Sequence, residues 1–123
     1  MTAKDTIQQG KAVLGIELGS TRIKAVLIDG DNAPIAQGSH TWENQLENGL
    51  WTYSIKSIWE GVQDCYATLR KDVMDQYGIE LENLAAIGVS AMMHGYMAFN
   101  KNQEILVPFR TWRNTNTGKA AAR

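Results

Sequence analysis

At 123 residues, 44% of them hydrophobic, with 12 basic side chains against 13 acidic ones, the chain has room for one modest soluble core and lacks the positive charge that nucleic acid selects. No run approaches the ~18 apolar residues of a membrane span, and residues 1–10 are too polar for a signal-peptide core, so a cytoplasmic protein without membrane contact is expected. The single Cys65 cannot close an internal disulfide and reads as a packing residue.

Met1 to Gly10 lacks periodicity and reads as a flexible N-terminal tail, leaving residues 11–123 as the folded part. Over 12–18 the residues alternate, with Ala12, Leu14, Ile16 and Leu18 on one face and Val13, Gly15 and Glu17 on the other, the period of a strand. Gly19-Ser20-Thr21 makes a tight polar turn, and a β-branched-rich strand resumes over about 22–29. Asp29-Gly30-Asp31-Asn32 turns the chain into a third strand, Ile35 to Trp42, completing an antiparallel meander. His40 on that strand reads as an exposed or core-satisfied imidazole.

Glu43 to Gly49 reads as a polar loop. Ser54 then caps one long helix over 55–77, which Gly78 stops. Ile55, Ile58, Trp59, Val62, Cys65, Tyr66, Leu69 and Val73 form its apolar stripe, placing Trp59 and Tyr66 in the core. Leu84 to Ala91 is small and apolar on both faces, as in the middle of a covered sheet. A right-handed helical crossover returns this fourth strand parallel to the first, so both end on one edge of the sheet. Tyr96–Phe99 and Glu104–Val107 read as a further hairpin, and the Ala-rich end, 118–123, as the start of another helix.

The chemistry concentrates at that shared edge, where ligands of α/β sheets gather. Gly19, Ser20 and Thr21 offer backbone N–H groups and two hydroxyls to a phosphate, and Glu17 beside them could hold a divalent cation through water. A plain hairpin, with Gly19 chosen for its backbone angles and Glu17 pointing at solvent, accounts for the spacing equally well. At the end of the fourth strand His94 could hydrogen-bond hydroxyls as donor and acceptor, or satisfy a backbone carbonyl beside Gly95.

Gly15-Ile16-Glu17-Leu18-Gly19-Ser20-Thr21-Arg22-Ile23-Lys24 resembles the opening phosphate motif of the sugar-kinase and actin superfamily, Gly-Ile-Asp-x-Gly-Thr-Thr/Ser-x-x-Lys. Met92-Met93-His94-Gly95 is similar to the Gln-Met-His-Gly segment of xylulokinase-like members of the FGGY carbohydrate kinases. Pro108 to Asn116 is similar to their Pro-x-x-x-Trp-x-Asp-x-Arg segment. Glu17 stands for the motif's Asp, Met92 for Gln, Arg113 at a position often Asn, Asn114 for Asp and Asn116 for Arg.

The resemblance implies an α/β, ribonuclease-H-like mixed sheet: a three-strand antiparallel meander, a crossover helix and a parallel fourth strand, in an incomplete domain. It implies an N-terminal part of a kinase that moves the γ-phosphate of ATP, with Mg2+, to a sugar hydroxyl, a ketopentose such as xylulose. Phosphate binding then falls to Gly19, Ser20, Thr21 and Lys24, metal to Glu17, and sugar to Met93, His94, Gly95, Trp112 and Asn114. The resemblance supplies no catalytic base within these residues, since the family's Asp lies further along a longer chain, so the 123-residue chain is expected to be inactive and to self-associate through exposed apolar surface. A non-catalytic sugar- or nucleotide-binding module remains the alternative. A ribonuclease-H-like nuclease would need clustered carboxylates for two metals, and Glu17 has no acidic companion at the strand ends.

Overall fold

The computed structural model describes residues 1–92, 95–107 and 109. Four strands form one mixed sheet: β1 (Val13–Leu18), β2 (Arg22–Ile28), β3 (Pro34–Thr41) and β6 (Ala86–Ala91), in the spatial order β3-β2-β1-β6. The meander β1–β2–β3 is antiparallel throughout, and β6 pairs parallel to β1 with Leu14 opposite Ile87 and Leu18 opposite Ala91. The 23-residue helix α2 (Ile55–Tyr77) makes the crossover.

Both ends of α2 follow from local chemistry. The Ser54 hydroxyl accepts from the Ser57 N–H at 3.0 Å, satisfying an orphan donor of the first turn. Gly78 adopts φ 67°, the left-handed conformation that lets its N–H reach the Met74 carbonyl at 2.8 Å. The helix buries Cys65, Leu69 and Val73 against Ile23, Ala25, Leu27 and Leu14 of the sheet. Gly38 allows the closest approach: a Cβ there would sit 2.4 Å from the Cys65 carbonyl oxygen and 2.5 Å from the Leu69 nitrogen. Asp72 of α2 accepts the Gln37 N–H at 2.9 Å, and the Tyr77 hydroxyl donates to the Ile35 carbonyl at 2.6 Å, so the helix occupies backbone groups along the outer edge of β3.

Several expectations need correction. Residues 1–10 are not a loose tail: α1 (Ala3–Gln8) has a reciprocal cap between Thr2 and Asp5, and Ile7 and Thr6 are buried. A six-residue helix is too short to show periodicity, and its buried Thr6 and Ile7 anchor it. The loop 43–49 contains half of a small hairpin, β4 (Gln45–Glu47) paired with β5 (Leu50–Thr52), turned by Asn48 and Gly49 at positive φ. Trp59 is 62% exposed rather than core, because the buried ridge of α2 runs through Gly61, Cys65, Leu69 and Val73 at four-residue spacing, off its position. Tyr66 is half-buried against the core. Strand β6 is exposed along its whole length, not covered, since α2 lies over β2 and β3. The hairpin expected over 96–107 does form: Phe99 bridges Ile105 antiparallel, the Asn100 N–H donates to the Glu104 carbonyl at 2.9 Å and the Leu106 N–H to the Ala98 carbonyl at 2.8 Å.

Candidate functional site

The site is built where β1 and β6 end together. The Met92 N–H donates to the Leu18 carbonyl at 3.1 Å, one residue short of Gly19, so the parallel pairing runs to the mouth of the turn. The approach of these two sequence-distant segments follows the topology expected from the sequence. Met93, His94, Trp112 and Asn114, expected at the sugar, lie outside the described residues. Gly95 is described: a Cβ there would meet the Phe109 ring at 2.6 Å, so its small size seats the aromatic.

Gly19 has a reason of its own. Its φ is not positive, so backbone angles do not demand glycine; the close approach does. Its N–H donates to the Arg22 carbonyl at 3.0 Å, and a Cβ would come within 2.8 Å of that same oxygen. The glycine thereby lets the two sides of the turn close on each other at its base, with Ser20 and Thr21 at the tip.

Strand register aligns the charged residues. Lys24 of β2, Glu17 of β1 and Ser90 of β6 stand in one row across the sheet, all exposed, on the face opposite α2. Two residues along, Val26, Gly15 and Gly88 form the next row. Together they floor a hollow of about 450 Å³. Among the described residues Glu17 and Lys24 make no ion pair with each other; Asp64 instead hydrogen-bonds His40 at 2.8 Å, and Lys56 pairs with Glu60 on the exposed helix face. An ammonium and a carboxylate thus both face the same open hollow, next to a turn with bare N–H groups. The described residues contain no group of three or more His, Cys, Asp or Glu able to enclose a metal. One exposed carboxylate fits a hydrated Mg2+, which keeps most of its waters and borrows oxygens from phosphates.

Beneath the turn, Leu18, Trp42, Ala91, Gly95, Met97 and Phe109 line a mostly apolar cavity of about 260 Å³. Trp42 stacks on Tyr53, ring centroids 4.1 Å apart, and Tyr53 touches Phe109 at 5.6 Å. Sequence reasoning missed Trp42 and Tyr53. The signal was present for Trp42, because pairing β3 antiparallel to β2 puts the residue after Thr41 opposite the residue before Arg22, that is, opposite the turn.

The model for the FGGY family of carbohydrate kinases, N-terminal domain, matches residues 12–123. The chain belongs to this family. Over 97 residues it is 28% identical to the glycerol kinase of Trichodesmium erythraeum, covering 78% of this chain and 18% of that kinase. Over 108 residues it is 25% identical to the xylulose kinase of Escherichia coli K12, covering 88% and 21%. The crystal structure of a xyloylose kinase from Brucella ovis superposes with a TM-score of 0.72 at 22% identity, over 90% of this chain and 23% of that one. The xylulose kinase from Rhodospirillum rubrum gives 0.71 at 17%, over 90% and 22%. These structures establish the actin-like fold of an FGGY kinase for the described sheet and helix. The chain spans about a fifth of the length of the curated relatives it matches. No helix among the described residues is long and apolar enough to cross a membrane.

Proposed function

We propose that this chain is the N-terminal portion of a longer cytoplasmic kinase that transfers the γ-phosphate of ATP to a hydroxyl of a sugar, with a ketopentose such as xylulose as the substrate class. The observation that carries this reading is the parallel β1–β6 pair, which brings the Gly19–Thr21 turn and the segment leading to His94 to one edge. The curated relatives named for xylulose and for glycerol frame the choice of substrate.

In this reading the N–H groups of the turn and the hydroxyls of Ser20 and Thr21 hold phosphate oxygens, and Lys24 contributes charge at the row's end. Glu17 would hold Mg2+ through water, and the ion, when bound, would supply neutralisation of phosphate charge. Met93, His94 and Gly95 border the sugar, with Trp112 stacking on it and Asn114 hydrogen-bonding beside it. Asp29 accepts the N–H groups of Asp31 and Ala33, and Asp64 pairs with His40, so neither serves as the proton acceptor; that base belongs to the rest of the longer polypeptide.

The test is sugar-dependent ADP release by the longer polypeptide with xylulose, ribulose and glycerol. Turnover with a ketopentose is expected, and His94→Ala should raise the KM for sugar several-fold, the loss of one hydrogen bond being worth about 0.5–1.5 kcal/mol, with the KM for ATP nearly unchanged. Gly19→Val should abolish turnover through its clash with the Arg22 carbonyl. Absence of turnover with every sugar, together with sugar or nucleotide binding, would replace the kinase by a non-catalytic binding module.

A further inference from the structure

Trp42 and Tyr53 belong to none of the segments that carry the family resemblance, yet together they take three successive carbonyls of the turn. The Trp42 indole N–H donates to the Gly19 carbonyl at 2.8 Å, the Tyr53 hydroxyl donates to the Ser20 carbonyl, and the Trp42 backbone N–H donates to the Thr21 carbonyl at 3.1 Å. A trans peptide sets its N–H opposite its C=O. Holding these three carbonyls therefore fixes the directions of the Ser20, Thr21 and Arg22 N–H groups, each turned away from the donor that grips its own peptide. A turn of small residues otherwise has soft peptide planes. Flipping one of them replaces a donor by an acceptor where an anion would sit, exchanging attraction for repulsion.

We propose that the stacked Trp42–Tyr53 pair positions the turn, locking its peptide planes so that consecutive N–H groups are presented to a phosphate. This rests on the reading of the turn as a phosphate holder. Neither ring touches the anion; both act through the Gly19–Thr21 backbone. The stack gives the two donors a shared rigid mount, with Phe109 packed behind Tyr53, so the three carbonyls are held as one unit.

The experiment is an amide NMR titration of this chain with sodium tripolyphosphate. The Ser20, Thr21 and Arg22 amides are expected to shift saturably. Tyr53→Phe, which keeps the ring and removes the hydroxyl, and Trp42→Phe, which removes the indole N–H, should each weaken that binding about two- to tenfold while the amides of β1 and α2 stay in place. Unchanged affinity in both variants, a wild-type turn that does not respond, or a loss of dispersion across the whole spectrum of Tyr53→Phe would overturn the proposal, the last by assigning the pair to the core. Kinase turnover by the longer polypeptide is read separately. Its absence, beside a tripolyphosphate response that depends on Tyr53, would remove the kinase reading and leave the positioning pair standing.

Discussion

The two halves of the sheet are finished to different degrees. Over β2 and β3, helix α2 seals the inner face, buries Ile23, Ala25 and Leu27, and takes backbone groups of the outer strand through Asp72 and Tyr77. Over β6 the surface is open: Ile87 is 59% and Val89 68% exposed, and on the opposite face Glu17 of β1 and Gly88 and Ser90 of β6 are uncovered, although Leu14 of β1 is buried. The sealed half supplies the rigidity, and the open half carries the groups suited to ligands. The Gly19–Thr21 turn leads directly into β2 of the sealed half, so under the proposed phosphate role its anchor lies in the packed part of the sheet.

Two glycines, one in each half, give the sharpest way to break this contrast. Gly38→Val drives a side chain into the backbone of α2, where contacts of 2.4 and 2.5 Å leave no room, and should cost about 3 kcal/mol or more, lowering Tm by over ~10 °C in thermal unfolding. Next in size, Val89→Lys should shift sedimentation at high micromolar concentration from associated species toward monomer, because the wild-type chain is expected to associate through the exposed Ile87 and Val89 surface. A wild type that sediments as monomer would show the open half to be inert. Gly88→Ala meets nothing within 4 Å and should raise stability by about 0.5–1 kcal/mol, the reverse sign of the Gly38 change.

The smallest effect is one of pH. Burial pushes the Cys65 thiol above its ordinary value, with Asp64 adding to the shift. The folded chain therefore keeps its thiol proton when the unfolded chain has released it, so stability is full below the unfolded thiol's ~8.5 and declines as pH rises beyond it. Denaturant midpoints measured between neutral pH and pH 10 should fall more steeply for wild type than for Cys65→Ala, comparing slopes because the alanine also loses packing. Parallel slopes would mean that the thiol titrates alike in both states.

The sealed half was legible from sequence because its signals are local and redundant. Ser54 and Gly78 bracket the helix, its apolar spacing repeats over six turns, and the β1–β2 alternation fixes which face is inward. From those pieces the crossover rule returned the fourth strand parallel to the first and ending on the same edge; that β6 lies directly beside β1 is added by the structure. Reading failed where a few residues outweigh a pattern. Ile7 and Thr6 anchor α1, Trp59 keeps helical spacing yet falls just off the buried stripe, and β6 has the composition of a central strand while standing at an edge. At the candidate site, Glu17 and Lys24 stand opposite each other in one row, but the hydrogen bonds from Trp42 and Tyr53 depend on side-chain reach from later parts of the chain, which no motif in the turn records.

The hydrogen bonds from Asp72 and Tyr77 to β3 set a limit on how the sheet can grow. They withdraw the Gln37 N–H and the Ile35 carbonyl from pairing with another chain, whereas β6 offers its outer edge unpaired among the described residues. Edge-to-edge pairing through β6 joins like to like about a two-fold axis and consumes both free edges in one step. The two β3 groups held by α2 work against continuing that pairing from the opposite edge, so the helix that seals the core also disfavours a growing fibre.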